Sequence, residues 1–309
     1  MSRVLSNAAV IERLDPTLVG VLDATLPSRL PAEPLTVPLV RRLDAALAAE
    51  PVPSASVVTL SRPDGSALEL RLHEAERSDA VILWIHGGGM FLGSARQDDA
   101  LCLGLSTNLG VSVVSVDYRL APEHRHPEPL EDCYTALEWL SHRFATVVVA
   151  GASAGGGLAA GLALLARDRS GPAIAGLHLS YPMLDDRGST MSTAELAETV
   201  VWNARLGALA WEAYLGGRTA DQYAAPSRAV DLVGLPPTVV DTGELDFFVD
   251  ENVAFAEALR SAGVDVCLTV EAHAPHCFEF IVPDTDRSRA TMTRKHAAFA
   301  ALLDSGAHA

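Results

Sequence analysis

The sequence predicts an α/β fold: a mainly parallel β-sheet with an antiparallel edge, helices on both faces and a helical cap. Three observations carry this. Continuous apolar runs such as 81–85 and 146–150 have the length and β-branched content of strands buried on both faces. Helical patterns at 98–109, 130–141, 158–167, 249–262 and 288–303 separate most of these runs, and strand alternating with helix implies parallel pairing through crossovers. Two alternating runs, 57–60 and 68–72, flank Pro63-Asp64-Gly65 and read as an antiparallel hairpin, which puts the antiparallel edge at the start of the sheet.

The elements follow in order. Residues 1 to about 50 read as mostly helical and peripheral, punctuated by Pro27, Pro31, Pro34 and Pro38. After the hairpin, 81–85 is a strand ending at a glycine loop. Strands are also expected at 111–116, 146–150, 177–179 and 238–240, with a less apolar one at 266–270. No residue from 144 to 166 is charged, and that length would span a bilayer. Gly151, Gly155, Gly156 and Gly157 interrupt it, so it reads as a buried strand, a turn and a helix beginning at Leu158. Residues 185–225 show no strand signal and carry Trp202, Trp211, Tyr214 and Tyr223 in a helical setting. They read as an insertion that joins residues 1–50 to form the cap of a single domain spanning 1–309. The three aromatics Trp202, Trp211 and Tyr214 read as packing of that cap, with lining of the pocket as the alternative; Phe91 and Tyr118 are candidates to border the site.

Composition narrows the function. The chain has 309 residues and a formal net charge of −16. Phosphate backbones are bound by basic stripes, so nucleic acid is not an expected partner, and an anionic membrane surface is disfavoured for the same reason. Cys102, Cys133, Cys267 and Cys277 form no CxxC pair and no zinc-finger spacing; they read as reduced thiols in a cytoplasmic protein. The first twenty residues carry Glu12 and Asp15 and do not read as a signal peptide.

Two glycine-rich motifs carry chemistry. Gly151-Ala152-Ser153-Ala154-Gly155 is a G-x-S-x-G match that follows a strand and opens a helix, the setting in which a strained turn lifts a serine hydroxyl above the sheet. Lys295 is the only lysine, so the turn is not a phosphate loop of the Gly-Lys type. His86-Gly87-Gly88-Gly89 follows the strand at 81–85. Glycines let backbone N–H groups approach a developing oxyanion, and Gly88, Gly89 and Ala154 are the expected donors, with Gly87 as the alternative. His86 reads as a residue that holds the loop.

A serine nucleophile needs an imidazole to take its proton, and the imidazole needs a carboxylate to fix its tautomer. In the order Ser, acid, His, the acid follows the strand at 237–242: Asp246 is preferred over its neighbour Glu244. The base follows the strand at 266–270, where His273 and His276 both qualify and spacing does not separate them. His124-Arg125-His126 lacks a third ligand, so no metal or other cofactor is expected.

These motifs resemble the hormone-sensitive-lipase-like family of α/β-hydrolases, in its bacterial carboxylesterase branch. The resemblance runs from about Leu83 to Phe280. It includes the glycine loop at 86–89, Asp117-Tyr118-Arg119-Leu120-Ala121-Pro122-Glu123-His124, the serine motif, Tyr181-Pro182-Met183-Leu184-Asp185-Asp186-Arg187, Leu235-Pro236-Pro237, Glu244-Leu245-Asp246 with Asp250-Glu251-Asn252, and His276-x-Phe278. It implies an α/β-hydrolase fold and a triad of Ser153, Asp246 and His276, because the family's base precedes x-Phe. It implies a small-molecule ester of short acyl chain as substrate, and pairing into a homodimer as in many relatives. The chain departs from the family at Ala152, where Asp is common, and at Cys277, where Gly is usual. The same machinery also serves amides, lactones and thioesters. The plant gibberellin receptors share the fold but bind a small ligand with a disabled triad, whereas all three positions are filled here.

Overall fold

The computed structural model describes residues 5–23, 30, 34–45, 55–75 and 79–306. The expectations for Pro27, Pro31 and the remaining residues of 1–50 lie outside them. One sheet of eight strands forms among the described residues: β1 (Ser56–Ser61), β2 (Ala67–His73), β3 (Ala80–Ile85), β4 (Ser112–Val116), β5 (Thr146–Ala152), β6 (Gly176–Ser180), β7 (Thr238–Gly243) and β8 (Val266–Glu271). Their order is β1-β2-β4-β3-β5-β6-β7-β8. β2 runs antiparallel to β1 and β4, and every later pair is parallel. The hairpin therefore forms the antiparallel edge.

Ten helices surround the sheet among the described residues: α1 (Asn7–Arg13), α2 (Val37–Ala45), α3 (Asp99–Leu109), α4 (Glu128–Ser141), α5 (Ala154–Asp168), α6 (Met191–Glu195), α7 (Ala204–Leu215), α8 (Val249–Ser261), α9 (Phe278–Ile281) and α10 (Asp286–Gly306). The apolar runs are continuous because each inner strand is covered twice. Val81, Leu83 and Ile85 of β3 and Val147 and Val149 of β5 enter a layer with α4, α5 and α8. Ile82, Trp84, Val148 and Ala150 enter the opposite layer with Cys102 and Leu105 of α3 and Phe299, Leu302 and Leu303 of α10. Each such side chain is worth about 1.5–3 kcal/mol when fully buried, so this two-sided sheet holds the fold together. No described helix is long and apolar enough to cross a membrane.

The helix after β5 begins at Ala154, four residues before the sequence suggested. Glycine weakens a helix, which is why the run 155–157 reads as a break. Packing overrides propensity here. A Cβ on Gly155 would stand 2.0 Å from the Ile85 carbonyl oxygen, one on Gly157 2.1 Å from that of Met183, and one on Gly156 2.9 Å from Pro182. The helix passes so close to β3 and to the segment after β6 that three consecutive side chains are excluded.

Residues 185–225 hold α6 and α7 and no strand. The N-terminal segment meets this region. Leu18 and Val21 share a small apolar cluster with Val200, Ala274 and Phe278, and the Leu5 N–H donates to the Glu195 carbonyl.

The contact at Gly155 can be tested for stability. Gly155→Ala should lower unfolding free energy by about 3 kcal/mol, the upper range for overpacking, because backbone rather than a flexible side chain meets the new methyl. Urea denaturation followed by circular dichroism measures it, and an unchanged midpoint would contradict the packing described.

Candidate active site

Four loops leave the C-terminal ends of parallel strands on one side of the sheet, where α/β folds form their clefts. Register aligns them: Ile85 faces Val116 and Gly151, Ala152 faces Ser180, and Gly243 faces Glu271.

Ser153 occupies the turn between β5 and α5 with φ 55° and ψ −120°. A non-glycine residue at positive φ costs about 1–3 kcal/mol and persists only when its surroundings hold it there. Here its N–H donates to the Ser180 carbonyl at 2.9 Å, and its own carbonyl accepts from Gly157 and Met183, both at 3.0 Å. His276 Nε2 lies 3.0 Å from Ser153 Oγ, and His276 Nδ1 lies 2.8 Å from Asp246 Oδ2. Asp246 Oδ1 accepts the Phe248 N–H at 2.9 Å. All three residues are buried, and the His276 ring is held edge-on by Tyr181 and Phe248, with centroids 4.6 and 5.4 Å away.

The two alternatives from the sequence lie elsewhere. Glu244 Oε2 accepts the His273 N–H at 2.8 Å, Glu244 Oε1 accepts from Arg13 at 3.1 Å, and His273 Nδ1 lies 3.1 Å from the Arg13 carbonyl. Together with the Leu245 N–H on the Ala274 carbonyl, these bonds tie the loop after β7 to the loop after β8. Glu244 and His273 therefore brace the loops that bring Asp246 and His276 together.

Gly88 and Gly89 adopt φ of 115° and 59°, which favour glycine. A Cβ on Gly88 would meet the Leu92 carbonyl oxygen at 2.4 Å, and one on Gly89 the Trp202 ring at 2.6 Å. No acceptor among the described residues takes the N–H of Gly88, Gly89 or Ala154. His86 braces this loop from beneath. Its Nδ1 lies 2.8 Å from the Gly87 carbonyl, and its ring stacks on Tyr118 at 4.1 Å, whose hydroxyl donates to the His86 carbonyl at 2.9 Å. Tyr118 thus supports the loop from below.

Ser153, His276 and Gly88 line a cavity of about 280 Å³. Two of its walls escaped the sequence reading, and a third followed the less expected of its two readings. Trp202 lines it instead of only packing the cap, and Asp44 and Asp98 contribute the carboxyls. The Trp84 indole donates to Asp98 at 2.7 Å, and burial pushes that carboxyl up to about 6; burial also raises Asp44. Residues that single isolated positions place in a cavity carry no motif, so no sequence signal could have found them.

Lys295 braces the surroundings of His276 from behind. Its buried ammonium donates to Glu279 Oε1 of α9 at 2.5 Å and to Ser180 Oγ at 2.9 Å, and stands 5.0 Å from the Tyr181 ring. Glu251 and Asn252, from the block after Asp246, hold the segment after β6: Glu251 Oε1 accepts the Leu184 N–H at 2.7 Å, and Asn252 donates to the Pro182 carbonyl at 2.6 Å. Burial raises Glu251 well above the ordinary carboxyl range. His124 lies 2.7 Å from Glu128 and His126 3.1 Å from Asp221, and no metal-binding cluster is found among the described residues. The four cysteines are free thiols, with Cys277 at the cavity wall.

A family profile described as the alpha/beta hydrolase fold matches residues 82–280. The chain belongs to the α/β-hydrolases, in their hormone-sensitive-lipase-like group. Esterase LipI of Mycobacterium tuberculosis is 34% identical over 270 residues, covering 82% of this chain and 84% of that protein. Carboxylesterase NlhH of the same species is 36% identical over 221 residues, covering 66% and 68%. The solved structure of a bacterial heroin esterase superposes with a TM-score of 0.86 at 34% identity, covering 95% of this chain and 99% of the other.

The buried histidines predict an acid-sensitive fold. Burial lowers His86 and His178 from 6.5 to about 4. Between these values the unfolded chain binds a proton that the folded chain refuses, so stability falls as pH drops from 6.5 towards 4. Each histidine contributes about 1.4 kcal/mol per pH unit. In urea titrations at pH 6.5 and 4.5, His86→Asn should flatten this dependence by about that slope; an unaltered slope would mean that His86 is not held neutral.

Proposed function

We propose that this α/β-hydrolase is a serine carboxylesterase that cleaves short-chain carboxylic esters through an acyl-enzyme. The observation that carries the reading is the unbroken contact from Ser153 Oγ through His276 to Asp246, at 3.0 and 2.8 Å, opening on the cavity that Gly88 lines. The esterase and carboxylesterase names of its relatives favour esters over amides, lactones and thioesters.

In this reading, Ser153 Oγ attacks the ester carbonyl carbon while His276 Nε2 takes its proton. The carbonyl π electrons move to oxygen, and that oxyanion accepts hydrogen bonds from the N–H groups of Gly88, Gly89 and Ala154. Asp246 accepts a hydrogen bond from the Nδ1–H of the imidazolium and stabilises its charge without taking the proton. Collapse of the tetrahedral species re-forms the carbonyl and breaks the bond to the alcohol oxygen, which leaves with the proton from Nε2. Water then gives a proton to Nε2, attacks the acyl carbon and displaces Ser153 Oγ, which regains its hydrogen. The small cavity supports a short acyl chain. The described residues of the N-terminal segment and residues 185–225 are proposed as the cap over it, which the contact of Leu18 and Val21 with Val200 supports. The four free thiols support a reducing, cytoplasmic setting.

Hydrolysis of p-nitrophenyl acetate and butyrate tests the proposal. Ser153→Ala should reduce kcat by about 10⁶-fold. Asp246→Asn should reduce it by about 10⁴-fold, because the wrong tautomer of His276 is then favoured. Turnover retained by a folded Ser153→Ala variant would overturn the mechanism, and faster cleavage of a matched anilide would move the bond class to amides.

A further inference from the structure

A second cavity of about 460 Å³ is lined by Gly207, Trp211 and Phe247 together with the charged side chains of Asp185, Arg187 and Arg218, among others, and by none of the groups in the mechanism. The indole of Trp202 lines the cavity of Ser153 and touches a glycine that lines the second one. One end of its ring rests on Gly89, where a Cβ would approach Cη2 to 2.6 Å, and the ring lines the cavity that holds Ser153. The other end reaches α7: Trp202 Nε1 lies 3.7 Å from where a Cβ on Gly207 would be, and Gly207 lines the second cavity. The same absent Cβ would stand 3.3 Å from Phe247, so the wall consists of one indole laid against a bare stretch of helix.

Trp202 is fixed in that position by its neighbours. Asn203 caps α7, its side chain accepting the Leu206 N–H at 3.1 Å, and the Ala204 N–H donates back to the Ala197 carbonyl at 3.1 Å. The indole N–H is buried with no acceptor among the described residues. Burying an unpaired donor costs about 1–3 kcal/mol, so shape rather than hydrogen bonding holds the ring there.

We propose that Trp202 is the specificity-determining residue that limits acyl-chain length, by closing the pocket of Ser153 against the bare stretch of α7 at Gly207. The inference rests on the esterase reading above. His276 must reach the alcohol oxygen, so the alcohol lies on the side lined by Cys277, Phe280 and Ile281, which follow the base in the chain. The acyl chain is left to run towards the glycine loop and the indole that covers it. A rigid apolar wall discriminates by about tenfold or more per methylene that does not fit.

The experiment measures kcat/KM for p-nitrophenyl esters from acetate to decanoate, for the unmodified chain and for Trp202→Phe, Trp202→Leu and Trp202→Ala. The expected result is a progressive rise in the octanoate-to-acetate ratio as the side chain shrinks, about tenfold or more for the smallest. Adding Gly207→Ala to Trp202→Leu should bring the ratio back down, because its methyl refills the opened wall. Preference across acetate esters of alcohols of increasing length should keep its order. An unchanged acyl profile in folded variants would overturn the inference, as would broadening confined to the alcohol series. If Trp202→Ala does not fold, the Phe and Leu variants with the Gly207→Ala reversal decide the question. Absence of ester turnover by the unmodified chain would instead sink the esterase reading itself.

Discussion

The site depends on how closely the turn after β5 approaches β3. Gly155 leaves no room for a methyl beside the carbonyls of Ile85 and His86. That approach brings the first turn of α5 against the root of the glycine loop, so the serine and the N–H groups of Gly88 and Gly89 belong to one rigid unit. The positive φ of Ser153 is the backbone cost of this arrangement, and the bonds from Ser153, Gly157 and Met183 hold it in place. A larger residue at Gly155 would separate the two halves of the site before it disturbed either motif.

The other half of the site is assembled by loops rather than by the sheet. Asp246 and His276 come from the ends of neighbouring strands, but β8 lies at the edge of the sheet and its side chains are only partly covered. Cross-links supply the missing rigidity. Glu244, His273 and Arg13 tie the two loops together from the outside, while Lys295 and Glu279 anchor α9 from the inside. A buried ion pair is seldom a net source of stability, because desolvating both charges costs about as much as their attraction returns. Its position behind Tyr181 and His276 gives this one a geometric value instead: it leaves the short helix after the base a single way to sit.

The sequence alone made the sheet legible, because two-sided burial writes itself as uninterrupted apolar runs. It also made Ser153, Gly88 and Gly89 legible, since close approach of backbone to backbone admits only glycine, and glycines at fixed spacing are visible in a string. The helix start at Ala154 was hidden: propensity counts three glycines as a break, and only contact with β3 and the segment after β6 makes them helical. Spacing preferred Asp246 without excluding Glu244, and left His273 and His276 to be separated by the family resemblance, for a related reason. Both members of each pair lie within a few residues on one loop, and a difference of direction leaves no trace in their separation along the chain.

What the chain's order of residues determined by itself was therefore the class of fold, the turn at Ser153 and the glycine loop, all of which are local patterns of burial and of steric exclusion. What only the tertiary structure decided was that Glu244 and His273 turn aside to brace the loops, and that Trp202, Asp44 and Asp98 wall the cavity. The physical reason is that burial periodicity and glycine spacing are properties of neighbours along the chain. The line from Ser153 to Asp246, and the wall at Trp202, join residues whose separation is closed only by packing.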